Sequence, residues 1–197
     1  MYEKKSLSMK TVALLLAIVL LVGCVAGSTI AFLMTKSDDV VNTFVAGEIG
    51  ELNLAETKGN EFTVIPGVDI EKDPTLTFEN FNVDAYIFLT VDATGWTVSG
   101  SDTNYTYSIG AGEKEMKWTL EGWTELASGV YYKEVKAEDG DQSWSIIKDN
   151  TITVNAGITK DDIASYAKSL SFTAYAIQQA TFDNAAAAWQ VAQTATK

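Results

Sequence analysis

The sequence predicts a mainly β fold, an antiparallel, jelly-roll-like β-sandwich with short helices near the C-terminus. Short β-prone runs alternate with glycine-containing turns through the middle of the chain. One of these runs, residues 85–91, is apolar on both faces, as a central strand of a sandwich would be. Helical patterning occurs only near the end of the chain. Hydrophobic residues make up 47% of the 197 residues, which is enough to bury the core of one domain.

The N-terminal residues have the layout of an export signal. Three lysines within the first ten residues precede an uncharged run, residues 11–34, and charged residues follow it. This order is typical of a secretory signal or a signal anchor, and the run is also long enough to span a bilayer. We therefore expect three units: residues 1–31 as a signal peptide or membrane anchor, residues 32–49 as an arm or first strand, and residues 50–197 as a β-sandwich domain.

Three fates of this leader remain open from the residues alone. Small residues before Ala31 are compatible with cleavage by a signal peptidase that makes Phe32 the new N-terminus. Residues 21–24 also match a lipobox, in which Cys24 is lipidated. The leader could instead be retained as an anchor. All three fates predict a secreted or cell-surface protein that contacts a membrane only through its N-terminal segment.

Composition excludes several classes of function. The chain carries 14 basic against 26 acidic residues, for a net charge of −12, and a surface of this kind repels the phosphates of nucleic acids. It contains no histidine, and Cys24 is its one cysteine. Catalytic triads, Cys–His pairs and histidine-ligated zinc sites are therefore excluded. A carboxylate pair of the glycosidase type would need no histidine, but no spacing singles one out. We expect a non-enzymatic protein without a cofactor.

The first half of the domain shows strand and turn patterns in order. Residues 38–45, polar to Asn42 and then apolar through Val45, suit an extended arm or first strand. Residues 63–65 predict a short strand that stops at the turn pair Pro66-Gly67. Residues 75–78 alternate as a half-buried strand does, and residues 80–84 have turn chemistry.

The second half continues this pattern and then becomes partly helical. Strands are predicted after residue 91 at residues 105–109, 117–120, 130–135, 151–154 and 169–177. Asp139-Gly140 lies between two β-prone runs and predicts a hairpin turn. Thr159 and Asp162 have the spacing of a capping box that opens a helix to about residue 168. Asp183 is the predicted N-cap of a terminal helix over residues 184–195.

Four stretches, considered together, resemble a known group of exported proteins. They are GSTIAF at residues 27–32, NTFVAGEI at residues 42–49, a block from Pro66-Gly67 through KDP at 72–74 to NVDAYI at 82–87, and AYAIQ with FDN and AW between residues 174 and 189. With these stretches the chain resembles the camelysin/TasA-like proteins of Gram-positive bacteria, including relatives exported through the signal peptidase SipW. Residues 95–155 match no motif of that group. The metalloprotease activity associated with the camelysin name is rejected, since the chain has no histidine.

The resemblance implies a secreted jelly-roll-like domain that self-associates into surface or biofilm-matrix fibres. In such relatives the freed N-terminal segment inserts as a strand into the neighbouring subunit. The side chains that could fill pockets there are Phe32, Leu33, Met34, Val40, Val41, Phe44 and Val45. Residues 40–49 could also be the first strand of their own domain, and residues 32–37 could be a donor arm or a loose tail.

Two further features have alternative interpretations. The acidic residues Glu134, Glu138, Asp139 and Asp141 could hold calcium, although they lack the EF-hand spacing and also suit a solvated turn. The five tryptophans could form a sugar-binding platform or could be core and rim residues; they are Trp96, Trp118, Trp123, Trp144 and Trp189. The alternative function is accordingly a surface-anchored lipoprotein adhesin or a carbohydrate-binding module.

Overall fold

A computed structural model describes residues 34–37, 49–59, 62–166 and 169–194 of the chain. These residues fall within one compact unit, Leu33–Lys197. They form three antiparallel sheets, with short helices near the C-terminus, so the predicted mainly β fold is confirmed and is consistent with a β-sandwich. Hydrogen bonding divides the strands into three sheets, where the sequence suggested two.

The first sheet has five strands and contains the strongest strand predicted from the sequence. In spatial order its strands are β1 (Met34–Ser37), β13 (Ser171–Gln178), β5 (Ala85–Asp92), β10 (Val130–Val135) and β9 (Thr124–Ala127). β5 is central and pairs with β13 along its whole length. Alternate β5 side chains, beginning with Ala85, enter the main core, whereas Tyr86 and Phe88 enter a second cluster on the other face. The prediction that both faces of this strand are buried is confirmed.

The other two sheets complete the layers around the main core. The three-stranded sheet contains β11 (Gln142–Ser145), β4 (Thr75–Glu79) and β2 (Glu51–Ala55) in that order. The second five-stranded sheet contains β3 (Ile70–Glu71), β12 (Thr151–Val154), β8 (Met116–Glu121), β7 (Asn104–Ile109) and β6 (Thr97–Ser101). In β4, β7, β8 and β12 buried residues alternate with more exposed ones, which is the pattern of a sheet with one face on the core.

Aromatic side chains dominate the main core. The rings of Trp118 and Tyr107 stack with centroids 4.3 Å apart and an interplanar angle of 2°. The hydroxyls of Tyr107 and Tyr131 form a hydrogen bond of 2.6 Å in the interior, so neither phenol is buried without a partner. Burial raises the pKa of both tyrosines. The core therefore contains a satisfied polar contact that fixes β7 against β10.

A C-terminal helix, α2 (Ala185–Ala192), covers the outer face of the first sheet. Its buried residues are Ala185, Ala188 and Ala192, whose small side chains let the helix lie close to the strands. Trp189 extends beside this contact, with ring centroids 5.2 Å from Phe88 and 5.4 Å from Tyr175. The alanine-rich sequence thus combines helix propensity with close packing.

Two local predictions from the first part of the domain have different outcomes. The predicted strand at 63–65 is wrong, since Ile65 makes only an isolated bridge to Val68. The turn at Pro66-Gly67 is confirmed, because the Val68 N–H donates to the Ile65 carbonyl at 3.0 Å across it. A two-residue bridge at the tip of a turn is too short to continue as a strand.

The predicted hairpin at Asp139-Gly140 is wrong. Residues 137–139 form a short 3₁₀ helix, and Gly140 has a φ of 67°, so the dipeptide still marks a change of direction. β5 pairs along one whole edge of β10, and β9 occupies the first half of the other edge, at residues 130–132. The chain crosses from the first sheet to the three-stranded sheet, where β11 pairs with β4.

The helix caps were predicted correctly in one case and one residue too early in the other. The capping box of Thr159 and Asp162 is confirmed at the start of α1 (Lys160–Ser165). The N-cap of α2 is Asn184 and not Asp183. Asn184 has extended backbone angles, and its side-chain oxygen accepts from the Ala187 N–H at 2.9 Å, which is the contact that defines an N-cap.

The capping box predicts part of the acid sensitivity of the fold. Hydrogen bonds from the hydroxyl of Thr159, from Lys114 and from the backbone N–H of Thr159 lower the pKa of Asp162 to about 2 from 3.8. Because the folded pKa lies below the unfolded one, this contribution to stability is complete above pH 3.8 and is lost as the pH falls towards about 2. We expect Asp162→Asn to flatten the loss of thermal stability over that interval.

Thermal unfolding followed at a series of pH values would test this expectation. Asp161→Asn is the matched control, since Asp161 lies in the same first turn and the structure describes no such hydrogen bond to it. Equal pH profiles for the Asp162 variant and the parent protein would contradict the assignment.

Candidate assembly site

The N-terminal strand β1 lies at the edge of the first sheet, antiparallel to β13. Met34 is opposite Ile177, and Ser37 is opposite Ala174. Of the predicted donor residues, the structure therefore places Met34 in an edge strand. The remaining residues of that prediction, with the leader sites, lie outside the described residues: Cys24, Ala31, Phe32, Leu33, Val40, Val41, Phe44 and Val45.

The outer edge of β13 is longer than the part that β1 covers. On one side it pairs with β5 over eight residues, from Ser171 to Gln178. On the other side β1 pairs only with the part from Ala174 to Ile177. No other strand in the described part of the chain pairs with that edge. The backbone groups of residues 171–173 can therefore extend the contact if a longer strand occupies this position.

The edge of β13 is unusual because the strand is buried on both faces. Ala174 and Ala176 belong to the main core and are 0% exposed. Tyr175 and Ile177 belong to the second cluster beneath α2. An uncovered edge at this depth would leave backbone groups next to apolar surface, which is costly unless a strand pairs with them. A strand that pairs with this edge therefore stabilises it.

β1 also lies near a second sheet. Cα atoms of β1 come within 8 Å of Cα atoms in both β13 and β2. Since β2 is an edge strand of the three-stranded sheet, β1 is placed where the two sheets approach each other. An occupant at this position contacts two layers of the domain.

A polar network fixes the end of β13 beside this site. The Gln179 N–H donates to the Asp84 carbonyl at 2.8 Å. The Asp84 carboxylate accepts from the Ala137 N–H at 2.9 Å and from Lys136 Nζ at 3.0 Å. These bonds lower the pKa of Asp84, with the Ala137 N–H as the largest cause, and the hydrogen bond to Asp84 raises the pKa of Lys136. The aspartate of the NVDAYI stretch therefore ties β5, β10 and β13 together.

Three carboxyl groups in the described residues have clearly shifted pKa values, and all three shifts are downward. They belong to Asp73, Asp84 and Asp162. The pKa of Asp73 is lowered chiefly by the Thr57 hydroxyl, which donates at 2.5 Å. A general acid of the glycosidase type needs the opposite shift. These carboxylates act as hydrogen-bond acceptors that cap turns.

Two of the acidic residues considered for calcium are likewise engaged in turns. Asp139 accepts from the Lys136 N–H at 2.7 Å, and Asp141 accepts from the Asn80 N–H at 2.9 Å. Within the described residues, no group of three or more His, Cys, Asp or Glu side chains could hold a metal ion. Sequence reasoning grouped these acids because they are close along the chain, and it could not assign their backbone partners.

The five tryptophans belong to different parts of the fold and do not share one face. Trp118 and Trp123 are 2% and 0% exposed, and Trp189 lies in the second cluster. Trp96 and Trp144 are partly buried against the main core. This placement corresponds to the core and rim interpretation of the sequence.

Sequence reasoning missed the cation that packs against two of these rings. Lys133 Nζ lies 5.0 Å from the Trp123 ring centroid and 5.8 Å from that of Trp144, and it donates to the Gly122 carbonyl. Burial lowers the pKa of this lysine. Only the three-dimensional fold brings β10 and β11 near the turn after β8, so no local signal could have revealed this cluster.

Comparison with known proteins adds no assignment to this geometry. No family model matches the chain, and neither a curated protein nor a solved structure matches it. Among the helices that the structure describes, none has the length and hydropathy needed to cross a membrane.

Proposed function

We propose that the chain is a non-enzymatic structural subunit of an extracellular fibre or biofilm matrix, assembled by exchange of its N-terminal strand. The observation that carries the proposal is the pairing of β1 with β13, at the edge of a strand that is buried on both faces. In the assembled form, β1 of one copy would occupy this edge in the next copy.

Exchange of β1 between copies requires no contacts other than those that β1 makes with β13. The backbone hydrogen bonds between β1 and β13 are the same whether β1 belongs to the same chain or to a neighbour, so the two states differ little in contact energy. Residues 38–48 connect β1 to Ile49 and can span at most about 40 Å when fully extended. That reach allows β1 to leave its own domain. A head-to-tail contact of this kind does not close on itself, so it propagates into a filament.

The predicted fates of the leader bear on this assembly. β1 begins at Met34, only a few residues after the predicted cleavage site at Ala31. Cleavage there would free the N-terminal end of the strand, whereas a retained or lipidated leader would tether it to the membrane. The order of basic residues, apolar run and arm therefore supports export followed by assembly, as does the resemblance to the camelysin/TasA-like group.

Paired cysteines would distinguish exchange from intramolecular pairing. Ser37 and Ala174 are directly opposite in the β1–β13 register, so Ser37→Cys with Ala174→Cys places two thiols within disulfide range. The full chain would be exported from a Gram-positive host, assembled and oxidised under mild conditions. If β1 is exchanged, we expect a ladder of covalent oligomers on a non-reducing denaturing gel.

The single variants Ser37→Cys and Ala174→Cys are the controls, since each has only one of the two introduced thiols. Any reaction through Cys24 is common to the single and double variants. The single variants are expected to give no ladder. The double variant could instead form its disulfide entirely within single chains while filaments are visible by electron microscopy. That result would show that these filaments are held together in another way.

A further inference from the structure

β6 is an edge strand without the usual protection. All five of its residues are exposed, and their sequence, TVSGS, contains no charge and no proline. β6 pairs with β7 on one side, and no strand in the described residues pairs with its other side. Two other edges are better protected, since β9 contains Glu125 and a register shift, and β2 contains Glu51. Free edges of this length normally carry such features because they otherwise pair with another chain.

The register of the β6–β7 hairpin shows which backbone groups are free. Ser101 and Asn104 close a turn made by the two residues between them. In such a hairpin the closing pair is hydrogen-bonded, and bonded and non-bonded pairs then alternate along the strands. Ser99 therefore bonds to β7, whereas Val98 and Gly100 turn their N–H and C=O groups away from it.

From this geometry we infer that two copies of the chain pair along β6, antiparallel, about a twofold axis at Ser99. Val98 of each copy then lies opposite Gly100 of the other copy, and these pairs exchange their free backbone hydrogen bonds. The contact joins two five-stranded sheets into one continuous sheet. It is separate from the assembly site, because β6 and β13 belong to different sheets.

The side chains of β6 complement one another in this register. Val98 is 42% exposed, and it would pack over a position that has no side chain. Gly100 has a φ of 124°, and a Cβ there would lie 2.1 Å from the Asn104 carbonyl oxygen, so the backbone admits only glycine at this position. In this register Val98 of one copy therefore lies opposite a position of the second copy that carries no side chain.

The opposite face of β6 carries hydroxyl groups. Ser99 donates to the Thr106 carbonyl at 3.5 Å, and the hydroxyls of Thr106 and Thr119 are 3.5 Å apart, so a row of hydroxyls already crosses β6, β7 and β8. Pairing about Ser99 would continue this row into the second copy. Hydroxyl pairs across strands are favourable contacts.

The repulsion between two acidic copies is smallest along an uncharged strand such as β6. The chain has a net charge of −12, so two copies can approach only through a surface where carboxylates do not meet. β6 is uncharged, and Asp102 follows it directly. In the antiparallel register about Ser99, Asp102 lies opposite Trp96 of the other copy and not opposite the other Asp102. The arrangement therefore avoids the like-charge contact that parallel pairing in register would create.

A cysteine on the twofold axis tests this inference. Residues 99 of the two copies would form a non-bonded pair with Cα atoms about 4.5 Å apart, within the range of a disulfide. Under mild oxidation of the exported full chain, we expect Ser99→Cys to form a covalent dimer at least about tenfold faster than the control, because pairing raises the effective concentration of the thiols.

The matched control is Ser143→Cys, which places a cysteine at an exposed serine on β11, an edge strand of another sheet. Both variants carry the same leader, so any reaction through Cys24 is common to them. Circular dichroism would verify that both retain the parent fold. Equal rates of dimer formation in the two folded variants would overturn the inference.

Discussion

Replacing both Thr35 and Lys36 by proline is expected to abolish filament formation while leaving the β domain folded. Alternate residues of an edge strand direct their N–H groups towards the neighbouring strand, so two consecutive positions include one that faces β13. Proline has no N–H to donate and is disfavoured within a paired strand. The substitution therefore weakens the bonds that would join one subunit to the next.

The measurement is electron microscopy of the exported protein, combined with sedimentation to quantify assembled material. Thr35→Ala with Lys36→Ala is the matched control, since it removes the same two side chains and keeps both N–H groups. If recognition depends mainly on the backbone, the alanine variant should still assemble. Normal filaments from the proline variant would refute the proposed exchange of β1. A loss of β-sheet circular dichroism would instead show that β1 is needed for the domain itself.

The parts of the fold that were predicted correctly depend on local patterns. The alternation in residues 85–91 indicates two buried faces, because side-chain direction in a strand is fixed by the backbone. Thr159 and Asp162 are three residues apart, and the bonds that they make are within one turn of helix. In both cases all the information lies in a single segment, and the structure confirms each prediction.

The incorrect and missing parts depend on contacts between distant segments. Asp139-Gly140 has the chemistry of a hairpin, but β11 pairs with the distant strand β4 and not with β10. The same limit applies to the candidate site. Residues 169–177 were recognised as a strand, yet alternation along a strand shows which face is buried and not which strand is its neighbour. The position of β13 next to β1 could therefore not be predicted.

Phe88→Ala is expected to lower the free energy of unfolding by about 3–5 kcal/mol, a large part of the stability of a domain this size. Phe88 is 0% exposed, and its ring contacts Trp189 and Tyr132 in the second cluster. The fully buried residues of the helix above this cluster are alanines, which are too short to reach the cavity. Urea unfolding at neutral pH would measure the loss. A value below about 1 kcal/mol would mean that the cluster beneath α2 contributes little to stability.

Phe88→Leu is the conservative control, with an expected loss near 1–1.5 kcal/mol, since it retains most of the buried volume. The two Phe88 variants also separate stability from assembly. Tyr175 and Ile177 of β13 belong to the same cluster as Phe88, so a cavity there weakens the strand that receives β1. Filament formation by the Phe88 variants should therefore follow the fraction of folded protein as temperature rises. The proline variant at positions 35 and 36 should lose filaments at temperatures where its domain remains folded. Its defect lies in β1, the strand whose exchange is proposed, and not in the core around β13.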